Sequence, residues 1–146
     1  GGQTETEGDD VTKIHIHNAP EGETGPHVLN IFGGPSEDDE DMQFDASTGT
    51  ITGIWDDSDE NTSNADHHLH SKKLSDVLNE LCDGELYLNI HSTTFPSGAI
   101  RGQILVESQV CDAPNYVPGR VVSDHEVIIE FDICRLVDIY YNVFKF

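Results

Sequence analysis

The segment ELYLNIHSTTFPSGAIRGQI, from Glu85 to Ile104, predicts two strands that fold back on each other. In ELYLNIHS every second residue is apolar up to the histidine, which is the period of a half-buried strand. The stretch TTFPSG contains Pro and Gly, residues that favour a turn, and AIRGQILVES then returns as the partner strand. We therefore expect an antiparallel pair here, and a fold built from strands of this kind.

The same strand pattern recurs in three earlier stretches of the chain. VTKIHIH (11–17) and HVLNIF (27–32) each read as one strand, and MQFDASTGTITGIW (42–55) reads as two strands that turn at STG. Ile51 and Trp55 are among the residues that we expect to be buried. The segments between these strands contain Gly and Pro or runs of acidic residues, a composition that favours loops.

One segment, SKKLSDVLNELCDG (71–84), has a helical period instead. Its apolar residues recur at helical spacing, and Gly84 stands where a helix would stop. These apolar residues are Leu74, Val77, Leu78 and Leu81. Several short strands with one inserted helix predict a mainly β fold, an antiparallel sandwich or barrel.

The two ends of the chain differ from this pattern. Residues 1–10, GGQTETEGDD, are rich in Gly and acidic residues and are predicted to form a flexible arm. The last segment, HEVIIEFDICRLVDIYYNVFKF, begins with strand-like alternation and then carries a heavy aromatic load. The aromatic residues at its end are Tyr140, Tyr141, Phe144 and Phe146. This tail predicts either an added strand or helix that covers the sandwich, or a surface that docks on a partner protein.

Charge excludes one class of partner. Seven basic residues against 28 acidic ones give a net charge of −21, which would repel nucleic acid. The acidic runs EDDED (37–41) and DDSDE (56–60) are interpreted as solvated loops. A calcium site is the alternative, but no EF-hand spacing is present in the sequence. No apolar run is long enough to span a bilayer, and neither a basic n-region nor an apolar h-region opens the sequence. We therefore expect a soluble mature product whose targeting peptide is either absent or already removed.

The sequence holds one weak signal of the compartment, because the odd number of cysteines settles none. The three cysteines allow one disulfide, such as Cys111–Cys134, with Cys82 as a buried thiol. The tripeptide NTS at Asn61 is a glycosylation sequon within an acidic loop, which points outside the cytosol.

Eight histidines are present, and two of them form an H-x-H pair on the first predicted strand. If Ile14 and Ile16 face the core, His15 and His17 share the opposite face. Imidazoles placed in this way can bind copper or zinc, and His27 and His91 are the candidates for further ligands. The alternative is a polar network of buried histidines with no metal.

Four segments together resemble the CHRD (chordin-type) domain. They are KIHIHNAPEGETGPHVLNIF, STGTITGIW, LSDVLNELCDGELYLNIHS and FPSGAIRGQI. The resemblance covers residues 11–106, so the chain divides into an acidic arm (1–10), a CHRD-like β-sandwich (11–106) and a C-terminal extension (107–146) that packs on the domain or on a partner. CHRD domains have been taken as similar to copper–zinc superoxide dismutases, which implies a Greek-key, dismutase- or immunoglobulin-like β-sandwich.

The dismutase analogy implies roles for particular residues. His15, His17 and His91 would bind copper, His27 would be the bridging or fourth ligand, and Arg101 would guide anions. Copper is therefore the expected cofactor, ahead of zinc or calcium.

The second-metal loop of the dismutase pattern is not reproduced. The stretch DHHLH instead offers a candidate second site, whose residues are Asp66, His67, His68 and His70. Its alternative interpretation is a polar loop and a helix N-terminus, where Asp66 or Ser71 would cap backbone amides.

The function expected from these observations is a non-catalytic, extracytoplasmic CHRD module that binds partners and carries a histidine metal site. One alternative is a copper-dependent dismutase-like enzyme, against which the charge of −21 argues because it repels superoxide. The other is a structural subunit of a larger assembly, docked through residues 121–146. The oligomeric state stays open.

Overall fold

The computed structural model describes residues 10–33, 42–45, 47–59 and 71–106, together with the backbone of one strand at 127–132. These residues form two antiparallel sheets. The strands are β1 (Val11–Asn18), β2 (His27–Phe32), β3 (Gln43–Asp45), β4 (Thr50–Trp55), β5 (Leu86–Ser92), β6 (Ile100–Gln103) and β7 (Val127–Asp132). The first sheet has the order β2-β1-β5-β6 and the second has the order β3-β4-β7. The chain thus leaves the first sheet after β2 and returns to it at β5, so a mainly β sandwich of antiparallel strands is confirmed.

The alternation in β1 and β5 separates an apolar face from a histidine face. Ile14 and Ile16 of β1 are fully buried and lie opposite Ile90 and Leu88 of β5. Since side chains alternate along a strand, the intervening residues point to the other face of the sheet. All seven residues of β5 are buried, so both faces of this strand are covered.

One apolar core joins the two sheets and the helical segment. Its members from the first sheet include Ile14, Leu88 and Ile90, and the second sheet contributes Ile51 and Trp55, as predicted. Leu74, Val77 and Leu81 of the helical segment complete it. The indole Nε1 of Trp55 also donates to the carbonyl oxygen of Lys72 at 2.9 Å, which ties the second sheet to the start of the helical segment.

The helix is shorter than its apolar period suggests. A 3₁₀ turn at Leu74–Asp76 precedes an α-helix, α1, at Leu78–Cys82, and Val77 between them has a φ of −127°. The helix stops as predicted before Gly84, whose φ of +71° is the left-handed conformation that favours glycine. Ser71 does not cap the helix. Its hydroxyl instead accepts the Asn30 amide of β2 at 3.2 Å.

The C-terminal extension contributes a strand to the second sheet. β7 pairs with β4 in a continuous antiparallel register, from Thr50 opposite Asp132 to Trp55 opposite Val127. A strand in this part of the sequence, one of the predicted alternatives, is therefore confirmed. The aromatic residues beyond it lie outside the described residues, as does the acidic arm at 1–9. The division of the chain at residue 106 stays a prediction.

The predicted disulfide is wrong. Cys82 is disulfide-bonded, so its partner is one of the other two cysteines and Cys111 cannot be paired with Cys134. Both of those residues lie outside the described part of the chain. Among the described residues, no helix has the length and apolar character needed to cross a membrane.

Candidate metal centre

Three histidines from two neighbouring strands meet on the histidine face of the first sheet. β1 supplies His15 and His17, and β5 supplies His91. One ring nitrogen of each lies within 4.8 Å of the ring nitrogens of the other two. His15 and His91 are only 7% and 9% exposed, and His17 is half-buried. The side-by-side pairing of β1 with β5 produces this cluster. It brings Lys13 opposite His91 and places His15 two residues further along β1, in the next pair on the same face of the sheet.

Backbone carbonyls fix the protonation of two of these rings. The Nδ1 of His17 lies 2.9 Å from the carbonyl oxygen of Gly25, and the Nδ1 of His91 lies 2.9 Å from that of Pro96. A carbonyl oxygen only accepts, so each Nδ1 carries the proton and donates it. In the neutral ring, Nε2 is then left with a free lone pair. Histidines that bind metals usually donate the proton of their other ring nitrogen in this way, to a backbone carbonyl, a carboxylate or a water.

The Nε2 atoms of His15, His17 and His91 are all buried without a hydrogen-bond partner. Buried polar groups in native proteins are almost always hydrogen-bonded, and an unsatisfied one costs about 1–3 kcal/mol. Three such nitrogens in one place therefore require an explanation. A bound metal ion would satisfy all three at once, and the donor set fits copper or zinc.

The cluster keeps His15 neutral. Burial, followed by the neighbouring His27, His91 and His17 and then Lys13, lowers the pKa of His15 from 6.5 to about 3. Burial is also the main cause that lowers the pKa of His17, partly opposed by its hydrogen bond to Gly25. Neutral imidazole is the form that binds metals, so these two rings are ready to do so at neutral pH.

His27 lies beside the group but is not one of its three members. Its ring stacks on His15 with 5.3 Å between centroids, and its Nε2 is also buried. The ring of His27 also faces that of His17 edge-on, with 6.0 Å between the ring centroids. The structure thus places all four predicted histidines together, and the role of His27 as a fourth or bridging ligand stays a prediction.

Arg101 contacts the ring of Tyr87, which in turn stacks on the ring of His17. Its guanidinium is 3.6 Å from the ring centroid of Tyr87, and the other ring contact of Tyr87 is His17, stacked at 5.0 Å. The guanidinium also donates to the carbonyl oxygen of Pro20 at 2.9 Å and to that of Glu23. Arg101 therefore holds the loop between β1 and β2, and its predicted role toward anions stays a prediction.

The loop between β1 and β2 delivers the carbonyl that orients His17. Gly25 passes so close to β1 that a Cβ on it would lie 1.8 Å from the carbonyl oxygen of Asn18. Its amide also donates to the Tyr87 hydroxyl at 3.4 Å. Gln103 of β6 donates to the Ala19 carbonyl oxygen at 3.0 Å and so fixes the start of the same loop.

Three residues of this arrangement were missed by the sequence interpretation. Tyr87 could have been found, because it lies four residues before His91 and so shares one face of the predicted strand with it. Gly25 and Pro96 act through backbone carbonyls, for which the side-chain pattern gives no signal. The candidate second site at Asp66, His67, His68 and His70 lies outside the described residues.

Comparison with known proteins assigns the family. The family model for the CHRD domain matches residues 3–104, which is more than half of the chain. The chain belongs to the CHRD domain family. The resemblance seen in the sequence is therefore confirmed, and this CHRD domain includes both histidine-bearing strands of the cluster. No curated protein and no solved structure matches the chain.

Proposed function

We propose that this CHRD domain is a non-catalytic module that binds one transition-metal ion through the Nε2 atoms of His15, His17 and His91. The observation that carries the proposal is the meeting of three buried imidazole nitrogens that have no hydrogen-bond partner. Copper is the first candidate, because affinity for nitrogen ligands rises toward copper among the divalent ions and falls again at zinc. Zinc is the second, and calcium is disfavoured since it takes oxygen ligands.

The proposal is tested by loading the purified chain with copper, removing excess ion and measuring metal content. About one equivalent is expected for the unmodified chain and much less than one for His15→Ala and His91→Ala. A variant with His67, His68 and His70 all changed to Ala is the matched control. If that variant loses the metal while His15→Ala retains it, the ion binds at the other histidine stretch and the proposal is wrong.

Two features support a binding role over dismutase chemistry. The net charge of −21 repels superoxide, whereas enzymes that use this anion focus positive potential at the metal. The guanidinium of Arg101 is also engaged by two backbone carbonyls and a tyrosine ring. A superoxide assay on the copper-loaded chain separates the two functions, because activity that disappears in His15→Ala would establish the enzyme.

An extracytoplasmic location forms part of the proposal. Cys82 is disulfide-bonded, and disulfides persist mainly in oxidising compartments. Thiol titration of protein isolated from its native source, alkylated during lysis, tests this. One free thiol is expected per chain, and three would contradict the proposed compartment.

Residues 121–146 were predicted to dock on a partner protein. Because the backbone of β7 pairs with β4, we propose docking only for the residues that follow β7.

A further inference from the structure

His17 is the least buried member of the three-histidine group. His15 and His91 are 7% and 9% exposed, whereas His17 is half-buried. A side chain that is partly open to solvent is less restricted by packing, so more of its rotamers stay accessible, including those that direct its Nε2 away from the other two ligands. A preorganised site with three nitrogens therefore needs specific contacts that hold this ring in place.

Tyr87 is the nearest ring to His17 among the described residues. The two rings stack with 5.0 Å between centroids and an interplanar angle of 14°. The rings of the other three histidines stand at 5.8, 6.0 and 6.5 Å from that of His17 and are inclined to it by 40° or more. His17 and Tyr87 form a cross-strand pair of β1 and β5, so the strand register sets this contact. Because Tyr87 is only 3% exposed, it offers His17 a fixed surface.

Arg101 holds the tyrosine from the opposite side. β5 lies between β1 and β6, so His17 and Arg101 approach Tyr87 from the strands on its two sides. The guanidinium carbon of Arg101 lies 3.6 Å from the centroid of the Tyr87 ring, which is a cation–π contact. The same guanidinium donates to the carbonyl oxygens of Pro20 and Glu23, and these bonds restrict its own movement. The tyrosine ring thus lies between an imidazole and an anchored guanidinium.

The hydroxyl of Tyr87 forms a second and weaker link to His17. It accepts the amide of Gly25 at 3.4 Å, and the carbonyl oxygen of Gly25 accepts Nδ1 of His17 at 2.9 Å. The first distance is longer than that of a normal hydrogen bond, so this link contributes less than the stacked ring. The ring and the hydroxyl of Tyr87 therefore act on the same imidazole, and the ring has the larger effect.

We infer that Tyr87, backed by Arg101, is a positioning residue that keeps the Nε2 of His17 directed toward the other two ligands. The inference rests on the proposed metal-binding function and adds to it the residues that preorganise its most exposed ligand. The juxtaposition that carries it is a row of three side chains on neighbouring strands, with His17 on β1, Tyr87 on β5 and Arg101 on β6.

Substitutions of Tyr87 and Arg101 test the effect on metal binding. Zn(II), which has no redox chemistry, is titrated into the full chain in competition with a chromophoric chelator, after free thiols are blocked with N-ethylmaleimide. We expect Tyr87→Leu to raise the Kd by about 5- to 10-fold, because it removes the aromatic stack. Tyr87→Phe keeps the ring and should change the Kd by less than about threefold. Arg101→Gln should raise it by about 2- to 5-fold.

Leu88→Ala is the matched control for stability. Leu88 follows Tyr87 on β5, but it belongs to the apolar core and is 1% exposed. Its truncation leaves a cavity and should lower the melting temperature at least as much as Tyr87→Leu does, while the Kd for Zn(II) stays within about twofold of that of the unmodified chain. If Leu88→Ala loses as much affinity as Tyr87→Leu, destabilisation of the sheet explains both results and the positioning role is overturned.

The imidazole signals of His17 test the positioning in the metal-free protein. Long-range ¹H–¹⁵N correlations at mildly alkaline pH distinguish a ring whose proton is fixed on Nδ1 from a ring that exchanges between tautomers. We expect the fixed form for His17 and His91 in the unmodified chain. In Tyr87→Leu the signals of His17 should become those of an exchanging ring. His91 should keep its form, because the carbonyl oxygen of Pro96 holds its Nδ1.

The outcomes separate the two proposals. If the unmodified chain binds no metal while the His17 signals respond as expected, the proposed function fails and the positioning role stands. If Tyr87→Leu melts cooperatively and changes neither the Kd nor the His17 signals, the positioning role is overturned. Where Tyr87→Leu does not melt cooperatively, Arg101→Gln at its exposed position decides by the same two measurements. A loss of affinity in Tyr87→Phe as large as that in Tyr87→Leu overturns the role assigned to the ring.

Discussion

Gly25 has no side chain, yet it determines how His17 is held. Its backbone lies against β1, where a Cβ would come within 1.8 Å of the Asn18 carbonyl oxygen. Its own carbonyl oxygen accepts a hydrogen bond from the Nδ1 of His17. Gly25→Ala must therefore displace the loop and break this hydrogen bond. We expect the dissociation constant for copper to rise about tenfold and the free energy of unfolding to fall by about 1–3 kcal/mol. Competition titration and urea unfolding measure the two effects.

Gly22 in the same loop provides the control. Its φ of +86° makes Gly22→Ala strained, but a Cβ there would meet no atom within 4 Å. A cost of about 1–2 kcal/mol in stability with unchanged copper affinity is expected. Equal losses of affinity in both variants would mean that general loosening of the loop, and no specific contact of Gly25, affects the site.

The low pKa of His15 makes the metal-free domain sensitive to acid. In the folded protein, burial and the neighbouring His27, His91, His17 and Lys13 lower the pKa of His15 from its ordinary value of 6.5 to about 3. Because the unfolded chain binds the extra proton, stability falls as the pH drops below about 6.5 and is constant for this group above it. From pH 7 to pH 5 we expect His15 to account for about 2 kcal/mol of lost stability.

Urea unfolding of metal-free protein at several pH values, compared with His15→Gln, isolates this contribution from that of the other titrating groups. The difference in unfolding free energy between the two proteins should shrink as the pH falls. Parallel pH profiles for the two proteins would contradict the prediction, because they would mean that His15 has the same pKa in the folded and unfolded states.

At the scale of elements, β7 matters most for the integrity of the second sheet. β4 lies between β3 and β7, and β3 has only three residues, all of them exposed. Deleting residues 121–146 removes the partner that pairs with the whole of β4, from Thr50 to Trp55. We expect the truncated chain to lose cooperative unfolding or to melt at least about 10 °C lower, since Trp55 belongs to the core.

Circular dichroism and Trp55 fluorescence follow this loss. A milder truncation at residue 132 retains β7 and serves as the control. If deletion from 121 leaves the melting temperature unchanged, the extension is dispensable for folding and its proposed role in docking gains weight.

Local periodicity predicted the elements well, but not their partners. Alternation alone placed Ile14 and Ile16 in the core and His15 with His17 on the other face, because the period of a strand is a local property. Which strand lies beside β1 depends on pairing between segments that are far apart in the sequence, and the residues of β1 alone do not determine it. The helix was overestimated, since Leu74 to Leu81 packs into the core through a 3₁₀ turn followed by a short α-helix.

For the whole molecule, the histidine cluster follows from topology more than from motif. The H-x-H pair predicted two ligands on one face, but His91 joins them only because the chain crosses to the second sheet and returns beside β1. The family resemblance supplied this neighbour in advance, whereas composition did not. The hydrogen bonds that His17 and His91 donate to the carbonyl oxygens of Gly25 and Pro96 were beyond prediction, because backbone carbonyls carry no residue-specific signal.

The charge of the whole chain determines how small anions approach it. At −21 the protein repels superoxide over a Debye length that shrinks from about 30 Å at 0.01 M salt to about 8 Å at 0.15 M. Any reaction of the copper-loaded domain with superoxide should therefore be slow at low salt and accelerate as salt is added. Pulse radiolysis at several ionic strengths measures this dependence, with free copper as the reference. A rate that instead falls with added salt would reveal a local positive field at the site, with Arg101 as its first candidate source, and would restore the enzymatic alternative.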